Sequence, residues 1–419
     1  MAKIRERRQR DRKRKQALRF LVGCGELAVF SVVLFFIVNG FGQWLNTIET
    51  SWPDKSTIES EISDWEPLFT EEEAIPDSMH LVMVGDMLMH DKILTSGKQE
   101  DGTYNFDHLF AHVAEYISSA DLAIANQETI MGGDRYGYTG YPSFNTPYAI
   151  SDAEVKAGFD VLLFATNHAL DKTKRGIINC MEYLDTTHPD LGYVGINHNQ
   201  EEQDTKIYTY EANGITVAIL NYTYGTNGIP IPGDMPYIVN TLNEEKVRSD
   251  IRKAEEIADF TIVCPHWGTE YRLTADNSQK KWANIFLEEG VDLVLGTHPH
   301  VIEPVEWLTR EDGHQMLVYY SIGNFVNGTA STGHGVSNRM VGGIADVKLE
   351  RNKETGEVCV VEYDAIPIVA HVAEGKEYTV YFLEDYTEEL ASKNRILLQD
   401  SEFSKALCDA LVDQVWGEE

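Results

Sequence analysis

The chain has 419 residues, 43% of them hydrophobic, and a formal net charge of −32: enough apolar content for a sizeable core, and far too acidic to follow nucleic-acid phosphates through general charge. Its five cysteines, Cys24, Cys180, Cys264, Cys359 and Cys408, form no CxxC pair, which excludes a cysteine-based zinc module and argues against a disulfide framework. Cys24 and Cys264 lie in apolar runs and read as small packing residues.

Charge is unevenly distributed along the chain. The first 20 residues hold ten Lys or Arg against Glu6 and Asp11, a net +8 within a whole-chain −32, so residues 21–419 carry −40. Residues 1–19 are therefore expected to be a basic cytoplasmic segment, and residues 20–42 a transmembrane signal anchor. The apolar stretch from Phe20 to Phe41 is long enough to cross a bilayer, and its positive flank favours an inside amino terminus. Glu26 falls near the inner end, where headgroups still reach it. No small-residue cleavage pattern stands out between Asn39 and Thr50. The expectation is a single-pass protein of the cell membrane with its main domain extracytoplasmic. Residues 43–78, with Glu59, Glu61, Asp64, Glu66, Glu71, Glu72 and Glu73, read as an acidic linker.

Residues 79–375 are expected to form the main domain. Strands are predicted at Leu81–Gly85, Leu122–Ala125, Val161–Ala165, Thr216–Asn221, Thr261–Cys264, Leu293–Leu295 and Leu317–Ser321. Helices are predicted at Phe106–Ile117, Lys172–Leu184, Glu244–Ile257 and Ser278–Glu288. This alternation predicts a layered α/β fold, and two later runs, Gly343–Leu349 and Val358–Ile368, predict an antiparallel portion. Residues 376–419 read as a helical, acidic tail.

Five apolar runs end at, or just before, side chains able to bind metal. LVMVGD ends at Asp86, with His90 four residues on; DLAIANQE ends at Glu128; DVLLFATNH ends at Asn167 and His168; FTIVCPH ends at His266; DLVLGTHPH ends at His298 and His300. Loops beyond the carboxyl ends of strands in an α/β sheet converge on one crevice, so these oxygen and nitrogen donors can meet as a dinuclear metal site. Asp171 is spaced to orient His168 as a proton donor. His298 and His300 flank Pro299, and the loop must curve for both imidazoles to reach one site. Trp267, Glu270 and Tyr271, just past His266, are candidates to shape a substrate cleft. Mixed oxygen and nitrogen ligands suit two divalent ions of manganese, iron or zinc.

The stretches VGDMLMHD (84–91), ANQET (125–129), ATNHALD (165–171), CPHWGTEY (264–271), GTHPHV (296–301) and YSIGNFV (320–326) resemble the CapA family of poly-γ-glutamate capsule proteins, whose domain is similar to the calcineurin-like metallophosphatases. The resemblance implies a metallophosphatase-like β-sandwich flanked by helices. It also implies that Asp86 and His300 serve one metal, that Asn167, His266 and His298 serve a second, and that Glu128 bridges them. His168 is then the proton donor. The sequence departs from the superfamily pattern in the spacing of Asp86 and His90 and in having glutamate at the bridging position.

The function expected on these grounds is a membrane-anchored part in poly-γ-glutamate or capsule biosynthesis or export. Its partners would be a poly-γ-glutamate synthetase complex and the polyanionic product, with no nucleic acid. The alternatives are a general extracytoplasmic metal-dependent phosphoesterase and a non-catalytic scaffold.

Overall fold

The computed structural model describes residues 77–373 and 378–417. They fall in the compact unit Ile75–Glu419, while the expected cytoplasmic segment, the transmembrane anchor and nearly all of the linker lie outside the described residues. Among the described residues no helix is long and apolar enough to cross a membrane.

Four parallel strands start the first sheet: β1 (Ser78–Met87), β2 (Leu122–Asn126), β3 (Val161–Leu163) and β4 (Gly192–Val194). The second sheet runs in the order β5 (Tyr208–Ala212), β6 (Ile215–Thr223), β7 (Phe260–His266), β8 (Leu293–Leu295), then β10 (Gln315–Tyr319) with β9 (Val305–Thr309) outside it. Its central strands are parallel, and β5 and β9 are antiparallel edges. The chain then returns to the first sheet. The short β11 (Asn324–Val326) pairs with the end of β1, and β12 (Val341–Arg351), β13 (Val358–Val372) and β14 (Tyr378–Phe382) extend the other side in antiparallel order. The expected antiparallel portion is thus present. The stretch expected as a helical tail contains β14, whose alternating YTVYF buries Tyr378, Val380 and Phe382 beside β13, ahead of helices Glu388–Lys393 and Lys405–Trp416.

Both sheets are covered on both faces, which explains the near-continuous apolar runs of their parallel strands. On β1, Leu81 and Met83 point between the sheets, joining Leu122, Ile124, Ile219, Ile262 and Leu295 in one core. Val82 and Val84 point the other way, toward helices α1 (Asp91–Gly97), α2 (Ala149–Ala157) and α3 (Thr173–Thr187). Outside the second sheet, α4 (Glu244–Ile257) and α5 (Asn277–Glu289) cover Ala218, Val263 and Val294. Each fully buried aliphatic side chain contributes about 1.5–3 kcal/mol.

The long helices begin where local chemistry specifies. The Asn243 side chain accepts from Lys246 N–H, Glu244 and Glu245 complement the helix dipole, and Val247, Ile251 and Ala254 recur on one buried face. Asp276 and Gln279 form a capping box for α5, which stops at Gly290 in the left-handed region. The expected helix Phe106–Ile117 is instead a 3-10 turn, Asp107–Phe110, and one helical turn, Ala114–Ile117. Val113, at φ −123° and ψ −14°, breaks the run, and two short turns still bury Phe106, Leu109, Phe110, Val113 and Ile117.

Close backbone approach at the end of β1 depends on Gly85. A Cβ there would sit 1.8 Å from the Gly323 carbonyl oxygen. Gly85→Ala is expected to destabilise the fold by about 1–3 kcal/mol or more, read as a lower urea midpoint. An unchanged midpoint would contradict the close packing of β1 on the turn before β11.

Candidate metal centre

The carboxyl ends of β1, β2 and β3 in one sheet and of β7 and β8 in the other open onto the same place. Asp86 occupies a register irregularity between β1 and its neighbours β2 and β11, and its N–H is fixed to Gly323 O at 3.0 Å. Its Oδ1 accepts from Asn126 Nδ2 (2.8 Å), and its Oδ2 meets His300 Nδ1 (3.0 Å) and the His298 N–H (3.3 Å). Asp86 therefore organises the loop that carries both histidines.

Glu128, two residues past β2, is fully buried, and neither of its carboxylate oxygens has a hydrogen-bond partner. Imidazoles surround it instead. Oε1 lies 3.9 Å from His266 Nε2 and 4.0 Å from His168 Nε2, and Oε2 lies 3.8 Å from His300 Nδ1. Asp86, Glu128 and His300 form one group whose ligand atoms all lie within 4.8 Å of one another; Glu128, His266 and His298 form a second. The two groups share Glu128. Glu270 enters a third such group with His298 and His300, so its exposed carboxylate reaches the ligand cluster itself as well as the cleft expected for it.

Asn167 joins through its Oδ1, 3.0 Å from His266 Nε2, while its Nδ2 donates to Asn227 Oδ1 (3.2 Å). His168 Nδ1 is 2.7 Å from Asp171 Oδ2, which also accepts the Phe144 N–H at 2.7 Å. With Nδ1–H donating to Asp171, Nε2 is the atom turned toward Glu128. Phe144 packs edge-on against His168 (4.7 Å between ring centres) and against His90 (5.3 Å).

The loop does curve between the paired histidines, and does so by backbone strain: His298 has φ +99° and His300 has φ +60°. Tyr271, at φ +66°, donates its N–H to Pro299 O at 2.7 Å and so supports that turn.

Electrostatics divides the imidazoles. Burial, reinforced by neighbouring imidazoles, holds His266 and His298 well below the usual histidine range, leaving them neutral with a lone pair to offer. Burial acts on His300 in the same direction, but Glu128 and Asp86 outweigh it and push it up to about 9. Burial drives the Glu128 carboxyl well up, with His300 pulling against it. A proton on His300 and a cation beside Glu128 thus compete for one negative charge.

Two expected residues fall outside the ligand groups. His90 is half-buried and belongs to none of the three ligand groups; burial, then His300 and His168, lower it to about 3. Trp267 does not line the cleft. It is 1% exposed, donates Nε1–H to Tyr320 O at 2.9 Å and stacks on Phe286 and Tyr320 in the outer core of the second sheet. Alternation along the chain past β7 turns it inward, away from His266.

Four positioning residues were missing from the expected set. Asn126 holds Asp86, Thr297 Oγ1 meets His266 Nδ1 at 3.0 Å, Asn324 Oδ1 meets His300 Nδ1 at 3.1 Å, and Asn227 contacts Asn167 and His168. Asn126, Thr297 and Asn324 lie inside the motifs already singled out, one or more residues from a chosen ligand. Asn227 lies in no motif and carries no signal in the sequence.

Residues 80–329 match the family described as bacterial capsule synthesis protein PGA_cap. The chain belongs to that family. Two relatives are similar to it: the capsule biosynthesis protein CapA of Bacillus anthracis, 28% identical over 260 residues (60% of each chain), and the PGA biosynthesis protein CapA of Bacillus subtilis strain 168, 25% identical over 264 residues (60% of this chain and 63% of the relative). The match thus spans about three-fifths of either relative's length. Among solved structures, a calcineurin-like phosphoesterase from Bacillus subtilis is similar at a TM-score of 0.39 and 15% identity, covering 70% of this chain and 90% of that one. Asp86, Glu128, Asn167, His168, Asp171, His266, Glu270, His298 and His300 all fall within the PGA_cap span.

The strain at His298 can be isolated from its imidazole. His298→Gly and His298→Ala both delete the ring, but only glycine relaxes at φ +99°. The glycine variant is expected to be more stable than the alanine variant by about 1 kcal/mol in urea denaturation. Equal stabilities would contradict a strained turn.

Proposed function

We propose that this protein is a membrane-anchored, extracytoplasmic component of poly-γ-glutamate or capsule biosynthesis or export, and that it acts through a cleft holding two divalent cations. Membership of the capsule synthesis family supports the biological setting, and the basic, then apolar, amino-terminal 42 residues support the anchor. The observation that carries the cleft is Glu128: a buried carboxylate with two unpartnered oxygens, shared by two groups of ligand atoms. That environment fits cations. Asp86, Glu128 and His300 would hold one, and Glu128, Asn167, His266 and His298 the other. The donor set suits manganese, iron or zinc.

Divalent cations bound there supply Lewis-acid polarisation of a phosphoryl or acyl oxygen and neutralise charge that develops on it. The remaining work falls to the chain. Asp171 keeps the proton on His168 Nδ1, which directs Nε2 into the cleft to hold and pass a proton to a departing oxygen or nitrogen. Asn126 and Asn324 hold Asp86 and His300 in register, and Thr297 fixes the His266 ring. A body this acidic repels a polyanion, so positive charge concentrated in the cleft is what admits the polymer. The synthetase complex and its emerging product are the partners this reading calls for.

A second reading, a metal-dependent phosphoesterase of broader use, is favoured by the His168–Asp171 pair, since a carrier of polymer needs no proton donor. Loss of surface polymer on deletion of the gene supports the first. Turnover of a phosphodiester by the purified full chain, with polymer unaffected by the deletion, supports the second.

Two measurements check the site. Manganese at about 100 times its dissociation constant is expected to stabilise the wild-type chain by about 2.7 kcal/mol, reversed by a chelator, with a much smaller effect on His266→Ala. An identical response of the two proteins would contradict the ligand assignment. Asp171→Asn is expected to lower kcat on whichever substrate is turned over by about 100-fold while cation content stays unchanged. Full activity in that variant would remove His168 from the proton-donor role.

A further inference from the structure

Beside the ligand cluster lies a cation that none of the three ligand groups includes. Arg339 sits in the 3-10 turn Val336–Met340, outside the family-matched span. Its backbone carbonyl accepts from Asn324 Nδ2 (2.9 Å) and Asn327 Nδ2 (3.1 Å). Since Asn324 also meets His300 Nδ1, one asparagine ties this turn to the metal centre. The guanidinium carbon is 3.5 Å from the centre of the Tyr271 ring, and that ring is 5.9 Å from the ring of His300. Arg339 is therefore one aromatic ring away from a ligand.

The guanidinium is held but not neutralised. Nη1 reaches Ser331 Oγ (3.1 Å) and Thr329 Oγ1 (3.5 Å), while Nε is buried with no hydrogen-bond partner. Among the described residues no carboxylate forms an ion pair with it, although the chain has 67 Asp and Glu against 35 Lys and Arg. Several arginines elsewhere do pair: Arg248 with Glu244, Glu288 and Glu289, Arg252 with Glu289, and Arg351 with Asp77 and Asp259. Stacking on Tyr271 fixes the plane and the hydroxyls occupy Nη1, while among the described residues neither Nε nor Nη2 has a hydrogen-bond partner. The Nε/Nη2 edge presents two parallel donors, the fork that matches a carboxylate or a phosphate.

We propose that Arg339, held flat on Tyr271, grips an oxyanion of the substrate beside the metal centre through its Nε/Nη2 edge. This rests on the cation-holding cleft proposed above, and adds which side of the cleft reads the substrate's charge. An oxyanion there gives the buried Nε–H its missing acceptor, and it sets the distance between the gripped group and the cluster. Carboxylate and phosphate share this chemistry.

Isothermal titration calorimetry on the manganese-loaded full chain, with glutarate and inorganic phosphate as probes, tests the assignment. Arg339→Met is expected to weaken at least one probe by about tenfold or more at unchanged manganese content. Arg339→Lys should also bind more weakly than wild type, because an ammonium lacks the planar fork. Tyr271→Leu, which keeps the guanidinium and removes its platform, should weaken the same probe by a smaller factor. A loss confined to glutarate identifies a carboxylate, and one confined to phosphate identifies a phosphate. Unchanged affinity for both probes in folded, manganese-loaded Arg339→Met or Arg339→Lys overturns the proposal, as does absence of binding of either probe to wild type. If wild type takes up no manganese, the cleft reading fails by itself, and the same titrations on the metal-free chain decide the role of Arg339.

Discussion

A carboxylate buried without hydrogen-bond donors is unstable unless positive charge faces it, and Glu128 is such a group. Three imidazoles stand about 4 Å from its oxygens, too far to hydrogen-bond and well placed to share an ion with it. His300 supplies part of the compensation by holding a proton, but His266 and His298 are kept neutral by the same burial and supply none. The arrangement is coherent if the remaining charge comes from cations, which neutral imidazoles and carboxylates bind well.

The fold makes this cluster possible by bringing the carboxyl ends of parallel strands from two sheets to one edge. Close backbone approaches hold the strand ends together: Gly85 against Gly323 in the first sheet, and Gly296 against Tyr320 in the second. The strained His298–Pro299–His300 turn then points two imidazoles to the same side, which an extended loop cannot do. Around the ligands, neutral amides and a hydroxyl fix orientation without adding charge, so the net charge of the centre is left to the ligands and what they bind.

Much of this was legible in the sequence, for identifiable reasons. Strands buried on both faces leave uninterrupted apolar runs, so β1, β2, β7 and β8 were visible, and the polar residues closing those runs are the ones the fold gathers into one cluster. Helices with strong caps, such as α4, appeared at the expected bounds. What was hidden depended on tertiary context. The helical spacing of Phe106 to Ile117 is satisfied equally by two short turns. Trp267 reads as a cleft residue because it follows His266, and only the packing of the second sheet shows it turned into the core. Asn227 and Arg339 reach the centre from loops with no apolar run to announce them.

Anomalous X-ray diffraction from crystals of the full chain grown with manganese locates any cation held beside Glu128. An anomalous peak is expected about 2.0–2.2 Å from a Glu128 oxygen, with His300 and Asp86 on one side or His266 and His298 on the other completing the shell. A saturated crystal with no peak beside Glu128 would contradict a cation site there.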